Sequence, residues 1–156
     1  MKVYLRNTAS PYNIADSSTA AIDSVSFTGS FAFANAQSGQ YYIVAKYRNT
    51  IETWSKAGGE LILDKGTINT YDFTTSALHA FGSNQILKGS EYCNYSGDVN
   101  NDGTVDLTDL GLIDNDAANF VTGYVTNDLN GDDAVDISDL SIGDNNASNF
   151  VQKITP

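Results

Sequence analysis

The first 75 residues contain short stretches in which aromatic and β-branched residues alternate with polar ones or form brief apolar runs. Such stretches, broken by small residues at Gly29-Ser30 and Gly58-Gly59, are typical of β-strands and not of helices. Several short strands at this spacing favour a Greek-key sandwich. The predicted strands are Val3–Asn7, Ala21–Phe27, Phe31–Ala34, Tyr41–Arg48, Leu61–Leu63 and Thr70–Phe73.

The last third of the chain has a different pattern, in which aliphatic residues recur at the spacing of an amphipathic helix. Leu107, Leu110 and Ile113 follow this spacing, and Ile137 and Leu140 repeat it 30 residues later. We predict one short helix in each place and no helix directly before either.

Charge divides the chain at Cys93. Residues 1–93 hold seven acidic and seven basic side chains, whereas residues 94–156 hold twelve Asp and one Lys. The whole net charge of −11 therefore lies in the second segment. We predict two domains, one formed by residues 1–93 and the other by residues 94–156.

The acidic segment is a duplicated unit. Residues 98–121 align with residues 128–151 at an offset of 30 residues, and 13 of the 24 aligned positions are identical. We expect the two copies to pack against each other, with Val105 of the first copy pairing with Val135 of the second.

Each copy begins with Asp and Asn residues at positions 1, 3, 5, 9 and 12 of a loop, the spacing of a calcium-binding loop. Calcium prefers six to eight oxygen ligands, so such a loop turns alternate side chains inward and adds the backbone carbonyl of position 7. Two copies in phase disfavour the alternative of a simple Asx-rich turn. The sequence predicts two calcium sites, formed by Asp98, Asn100, Asp102, Thr104, Asp106 and Asp109 in the first loop and by Asp128, Asn130, Asp132, Ala134, Asp136 and Asp139 in the second.

The two loops differ at position 6, where the first has Gly103 and the second has Asp133. The chain turns sharply at this position, and Asp tolerates a positive φ better than most residues. We therefore expect the second loop to form but to bind calcium more weakly than the first.

The stretch from Gly97 to Asp106, the duplication and the Asp at position 12 resemble a dockerin, the calcium-dependent module that docks secreted enzymes and scaffold proteins onto cohesin domains. The resemblance covers residues 97–151. It implies a cohesin-like partner that contacts loop positions 10 and 11 and sites along each helix. For Asp114 and Asp144 we favour solvated acids near a helix end over a calcium or partner contact. The positions concerned are Leu107, Thr108, Asp114, Asn115 and Asn119 in the first copy and Ile137, Ser138, Asp144, Asn145 and Asn149 in the second.

In the first segment, Gly-x-Phe-x-Phe from Gly29 and Gly-x-Tyr-Tyr-Ile-Val from Gly39 resemble the transthyretin-like or carboxypeptidase-regulatory-like β-sandwiches of bacterial secreted proteins. A sandwich before dockerin-like repeats is similar to the X-module–dockerin tandem of cellulosomes. The resemblance implies a mainly β, Greek-key (immunoglobulin- or transthyretin-like) sandwich followed by a small α-helical module with two EF-hand-type calcium loop-helix motifs. It also implies the C-terminal part of a longer bacterial protein, located outside the cell or on its surface.

We expect a non-catalytic docking or display module that binds two Ca²⁺ ions and a cohesin-like partner. The only His, His79, has no nucleophile motif near it, and the paired carboxylates lie in loops and not across a sugar-sized cleft. The chain lacks the clustered Lys and Arg that nucleic acid requires and a run of roughly 20 apolar residues that would span a membrane. Two alternatives stay open: a self-assembling, calcium-stabilised subunit of a bacterial surface fibre, and a polysaccharide-binding sandwich with a calcium-stabilised tail. Trp54 is either a sugar-stacking platform for the latter or, as we expect, a core or interdomain residue.

Overall fold

The structure is a computed structural model that describes residues 1–63 and 67–156. The chain forms two compact units. The first contains Met1–Lys46, Thr53–Cys93 and Ile154–Pro156, and the second contains Tyr47–Glu52 and Asn94–Lys153. The segment Tyr47–Glu52, which the sequence analysis placed with the β-rich half, therefore belongs to the same unit as the acidic repeats.

The first unit contains a five-stranded antiparallel sheet and a separate two-stranded hairpin. In the five-stranded sheet β2 pairs with β1, β1 with β3, and β4 and β5 both pair with β3 at different places along the edge that β1 does not use. The strands of this sheet are β1 (Lys2–Asn7), β2 (Ile14–Thr19), β3 (Gly39–Lys46), β4 (Thr53–Trp54) and β5 (Glu60–Ile62). The hairpin is formed by β6 (Ile86–Lys88) and β7 (Glu91–Cys93).

Aromatic residues build the core of the first unit. Tyr42, Val44 and Trp54 form a buried cluster, against which Tyr4 and Tyr12 pack. The Tyr42 and Trp54 rings meet edge to face with their centroids 5.7 Å apart, an arrangement that aromatic pairs prefer. Because Trp54 is only 4% exposed, the prediction of a core residue is confirmed and a sugar-stacking platform at this side chain is excluded.

Three of the predicted strands are wrong, namely Ala21–Phe27, Phe31–Ala34 and Thr70–Phe73. In the first of these, the Asp23 carboxylate accepts hydrogen bonds from the backbone N–H groups of Val25 and Ser26, so a turn satisfies donors that a strand would have offered to a neighbour. Conversely, β2 was missed because its sequence is mostly polar, which an edge strand allows. The described strands do not establish the predicted Greek-key sandwich; they establish antiparallel sheets.

The second unit contains the two predicted helices, α1 (Leu107–Ala118) and α2 (Ile137–Ser148), so this prediction is confirmed. The helices pack closely, because a Cβ placed on Gly143 of α2 would lie 2.9 Å from Leu110 Cδ2 and 3.1 Å from Ile113 Cδ1. Neither helix is long and apolar enough to cross a membrane, and the described residues contain no other candidate.

The backbone pairing of the two loops differs from the prediction. Val105 donates its N–H to the carbonyl of Val151 (2.8 Å) and Val135 donates to Val121 (2.9 Å), so the expected Val105–Val135 pairing is wrong. Each loop pairs with the residues that follow the helix of the other copy. The chain reverses directly after each helix, at Phe120 and Phe150, which both have positive φ. The reversal brings the following residues, Val121 and Val151, alongside the loop of the other copy.

Two apolar clusters hold this arrangement together. One consists of Val99, Ile113 and Val135, and the other of Ile51, Val105 and Val151. Val105 and Val135 thus lie in different clusters, and Ile51, from the segment between β3 and β4, supplies a third of the buried residues in the second cluster.

Candidate metal centre

The first loop is shaped by side chains that bind the backbone two residues further on. Asn100 Oδ1 accepts the N–H of Asp102 at 2.8 Å, and Asp102 Oδ1 accepts the N–H of Thr104 at 2.9 Å. Asp98, which is fully buried, accepts the N–H of Gly103. These bonds wind the backbone around the side chains of positions 1, 3 and 5.

Asp109, at position 12, ties the start of the first loop to its end. One carboxylate oxygen accepts the N–H groups of Val99 and Asn100 at 2.8 and 3.1 Å, and the other accepts that of Asp106 at 3.0 Å. Asp106 in turn caps the first turn of α1 by accepting the N–H of Thr108. The fully buried Asp109 is therefore held by three backbone donors. Its side chain is shorter than that of the Glu usual at position 12 of an EF-hand loop, but it reaches the loop because α1 begins immediately beside it.

The second loop repeats this pattern at the matching positions. Asn130 accepts the N–H of Asp132, and Asp132 accepts that of Ala134. Asp139 accepts the N–H groups of Leu129 and Asn130 at 2.7 and 3.0 Å and that of the capping residue Asp136 at 3.0 Å. The Ser138 hydroxyl, followed by the Ser138 backbone N–H, lowers the pKa of the Asp136 carboxyl below its usual value.

Both loops need a positive φ at positions 4 and 6. In the first loop these are Asn101 (64°) and Gly103 (94°), and in the second they are Gly131 (81°) and Asp133 (76°). The predicted left-handed turn at Asp133 is confirmed, and the glycine missing from position 6 of the second loop stands at position 4 instead. A Cβ at Gly103 would lie 2.7 Å from Lys153 Cδ, but this flexible side chain can move aside, so the positive φ is the reason for a glycine at this position.

The predicted ligands form an all-oxygen set of carboxylates, amides and backbone carbonyls, which suits calcium better than zinc or copper. Within residues 1–63 and 67–156, no group of three or more His, Cys, Asp or Glu side chains is gathered in a way that could hold a metal ion. The set predicted here relies in addition on the amides of Asn100 and Asn130 and on the carbonyls of Thr104 and Ala134. The predicted donors match calcium in their chemistry and in their order along the chain, whereas the carboxylates of each set are not gathered into such a group among the described residues.

The segment Tyr47–Glu52, to which the sequence assigns no role in the site, contacts both loops. Asn49 Nδ2 donates to the carbonyl of Asp128 (3.0 Å), and its own carbonyl accepts the N–H of Gly97 (2.7 Å). Arg48 accepts a hydrogen bond from Asn101 on its carbonyl and places its guanidinium beside Asp128. No sequence pattern indicates this, because the segment lies outside the repeat and about half the chain away from the second loop.

The positions that the resemblance assigns to a partner lie on the surface of the second unit. Leu107 and Ile137, the first residues of the two helices, are 82% and 71% exposed. Asn119 and Asn149 end the helices, each donating its side-chain amide to the carbonyl four residues earlier. The other six, all exposed, are Thr108, Asp114, Asn115, Ser138, Asp144 and Asn145.

The first unit contains the only His of the chain. The His79 ring lies 3.4 Å from the Thr75 hydroxyl and against the Tyr71 ring, and its backbone carbonyl accepts the Tyr71 hydroxyl. These contacts give His79 a place in the packing of the loop that precedes β6.

Comparison with protein-family models, curated proteins and solved structures gave no match to this chain.

Proposed function

We propose that the second unit binds two calcium ions through its duplicated loops and then docks onto a protein partner of the cohesin type, as a dockerin-like module. The proposal rests on one observation: the two loops repeat the hydrogen bonds of the predicted ligands at positions 3, 5 and 12, with positive φ at the same two positions. Such agreement, in loops that each pair with the chain after the helix of the other copy, supports a function shared by both copies.

The charge of the unit supports a cationic ligand. Its residues 94–153 carry twelve Asp and one Lys, and four of these Asp are buried: Asp98, Asp109, Asp128 and Asp139. Carboxylates at this density repel one another and are costly to bury. Two bound calcium ions would supply four positive charges, so that metal binding and folding would be coupled.

The surface at the start of each helix supports docking. Leu107 and Ile137 stand at equivalent places of the two copies and expose most of their apolar surface. The carboxylates that cap the first turn of each helix are also predicted calcium ligands. A bound ion would therefore fix the first turn of each helix and, with it, the position of Leu107 and Ile137. We infer that calcium would control whether a partner can bind.

The proposal extends to the first unit and to the setting of the chain. Its five-stranded antiparallel sheet with an aromatic core supports a transthyretin-like sandwich that carries the docking module. The whole would be a non-catalytic part of a bacterial extracellular or surface protein.

A calcium titration by calorimetry on the EDTA-treated protein, with circular dichroism and light scattering in parallel, tests the proposal. We expect two sites, a gain in helix content and no growth in particle size. Growth into large particles would favour the surface-fibre subunit instead, and the absence of calcium binding would refute the proposal.

Adjacent residues of the second loop offer a matched pair of variants. Asp132→Asn and Asp133→Asn remove the same charge from exposed neighbours, but only Asp132 is a predicted ligand. We expect Asp132→Asn to weaken one of the two sites at least about tenfold and Asp133→Asn to change it by less than about threefold. Equal effects of the two variants would show that only the net charge of the loop matters.

A further inference from the structure

Arg48 lies outside both repeats and contacts the first residue of the second loop. Its Nη2 atom donates to the backbone carbonyl of Asp128 at 3.1 Å and lies 3.6 Å from the carboxylate oxygen Oδ2 of the same residue. The other carboxylate oxygen of Asp128 accepts the N–H of Gly131 at 2.6 Å. A side chain that the duplication does not contain therefore supplies a cation to position 1 of one loop.

The guanidinium is held firmly in this place. It lies over the Tyr124 ring, 3.7 Å from the ring centroid, and the Tyr47 ring lies 5.4 Å away. The hydroxyls of these two tyrosines hydrogen-bond to each other at 2.7 Å. Arg is suited to such a site because its planar group can stack on a ring while its edge donates hydrogen bonds.

The ion pair is largely shielded from water. The side chain of Arg48 is 16% exposed and that of Asp128 is 2% exposed. Charges in such surroundings interact more strongly than charges on the surface, and the carboxylate would be costly to bury without a positive partner. The pair therefore stabilises the second loop without a metal ion.

We propose that Arg48 is a built-in cation for the second loop, which holds Asp128 in place in the calcium-free protein and lowers the affinity of that loop for calcium. The inference rests on the proposed function, since it concerns a residue that the function assigns to calcium. Asp128 cannot give its full charge to the ion while the guanidinium stays beside it, and a fixed positive charge repels a second cation.

Arg48, and not the Asp133 at position 6, then accounts for the weaker calcium binding of the second loop. The Asp133 backbone already has the turn that position 6 requires, so the missing glycine does not prevent the loop from forming. Arg48 instead makes the second loop ordered before calcium binds and weaker in binding it. The first loop would fill first, and the second would respond to a higher calcium concentration.

The test compares Arg48→Met, which keeps much of the apolar stem, with Lys56→Met, which removes the same charge from an ion pair of the first unit whose lysine is exposed. NMR titrations with calcium follow the backbone amides of Gly103 and Asp133 separately, one for each loop. We expect Arg48→Met to tighten calcium binding at the second loop about tenfold. The first loop should change by less than about threefold, and Lys56→Met should change neither. The calcium-free Arg48→Met protein should also melt at a lower temperature than the parent.

Unchanged or weaker binding at the second loop of Arg48→Met, with both sites present in the parent, would overturn this inference and leave the proposed function intact. Absence of binding to the parent would overturn both. If Arg48→Met does not fold, Arg48→Gln decides in the same way, because its amide can still donate to the Asp128 carbonyl while the charge is lost.

Discussion

The segment Tyr47–Glu52 lies between two strands of the first unit in the sequence but belongs to the second unit in the structure. Its contribution to the stability of the second unit can therefore be tested. Ile51 follows β3 in the sequence, yet its side chain is fully buried in a cluster with Val105 and Val151. Its backbone N–H donates to the carbonyl of Tyr95 at 3.1 Å. The variant Ile51→Ala should therefore destabilise the second unit, although Ile51 lies far from the acidic repeats in the sequence.

The size of the effect follows from the buried atoms. Replacing Ile by Ala removes three carbon atoms, each worth about 0.8 kcal/mol when buried. The cavity that remains adds to this loss, so we expect a decrease of about 2–5 kcal/mol in the free energy of unfolding. For a unit of this size, even 2 kcal/mol lowers the melting temperature by about 8 °C or more. Ile51→Val should cost only about 0.5–1.5 kcal/mol.

Two signals allow the units to be followed separately during thermal and urea unfolding. The helical circular dichroism reports on α1 and α2, whereas the fluorescence of Trp54, the single tryptophan, reports on the first unit. Ile68→Ala is the matched control, because the side chain of Ile68 is 90% exposed. A loss of helix stability below about 1 kcal/mol in Ile51→Ala, or one no larger than in Ile68→Ala, would refute the assignment of this segment to the second unit.

Three further predictions concern single residues. Gly103→Val should weaken calcium binding at the first loop, because φ is +94°, which a β-branched residue rarely adopts, whereas Asp133→Gly should preserve or strengthen binding at the second loop; calorimetric titration of both variants checks this. Asp109→Ala should lower the melting temperature of the second unit even in EDTA, since three backbone N–H groups lose their acceptor. A melting temperature unchanged in EDTA would contradict this structural role. The backbone N–H of Asn35 is the main cause that lowers the pKa of the Asp16 carboxyl in the folded protein. The stability that this carboxylate contributes is therefore complete above its unfolded pKa and is lost as the pH falls through its folded pKa. The melting temperature of the first unit should therefore drop less on acidification in Asp16→Asn than in the parent, and identical pH profiles would count against the contribution.

The loops and helices of the second unit could be predicted from the sequence because local bonds determine them. Asp106 and Asp109 cap α1 within four residues, and the Asx bonds of each loop join residues two apart. The duplication shows the same local pattern twice. In the first unit, β1 and β3 were predicted because their apolar residues are dense enough to identify a strand without its neighbours.

Other features depend on residues that are distant in the sequence. The polar strand β2 exists because β1 offers it hydrogen bonds, and the Asp23 turn replaced a strand that residue preferences alone favour. The sequence contains both repeats, but their periodicity is the same whether the loops pair with each other or with the chain that follows the opposite helix. Only the packing of the two helices and the chain reversals at Phe120 and Phe150 decide between these arrangements.

The duplicated acidic loops, the order of their oxygen donors and the helix after each loop follow from the order of the residues alone, because they arise from interactions within about twelve residues. Folding of the whole chain is needed to place Ile51 in the core beneath the first loop and Arg48 beside Asp128 of the second loop. Residues 47–52 carry no motif for these roles. Their contribution comes from burial and charge at positions that only the folded chain brings together.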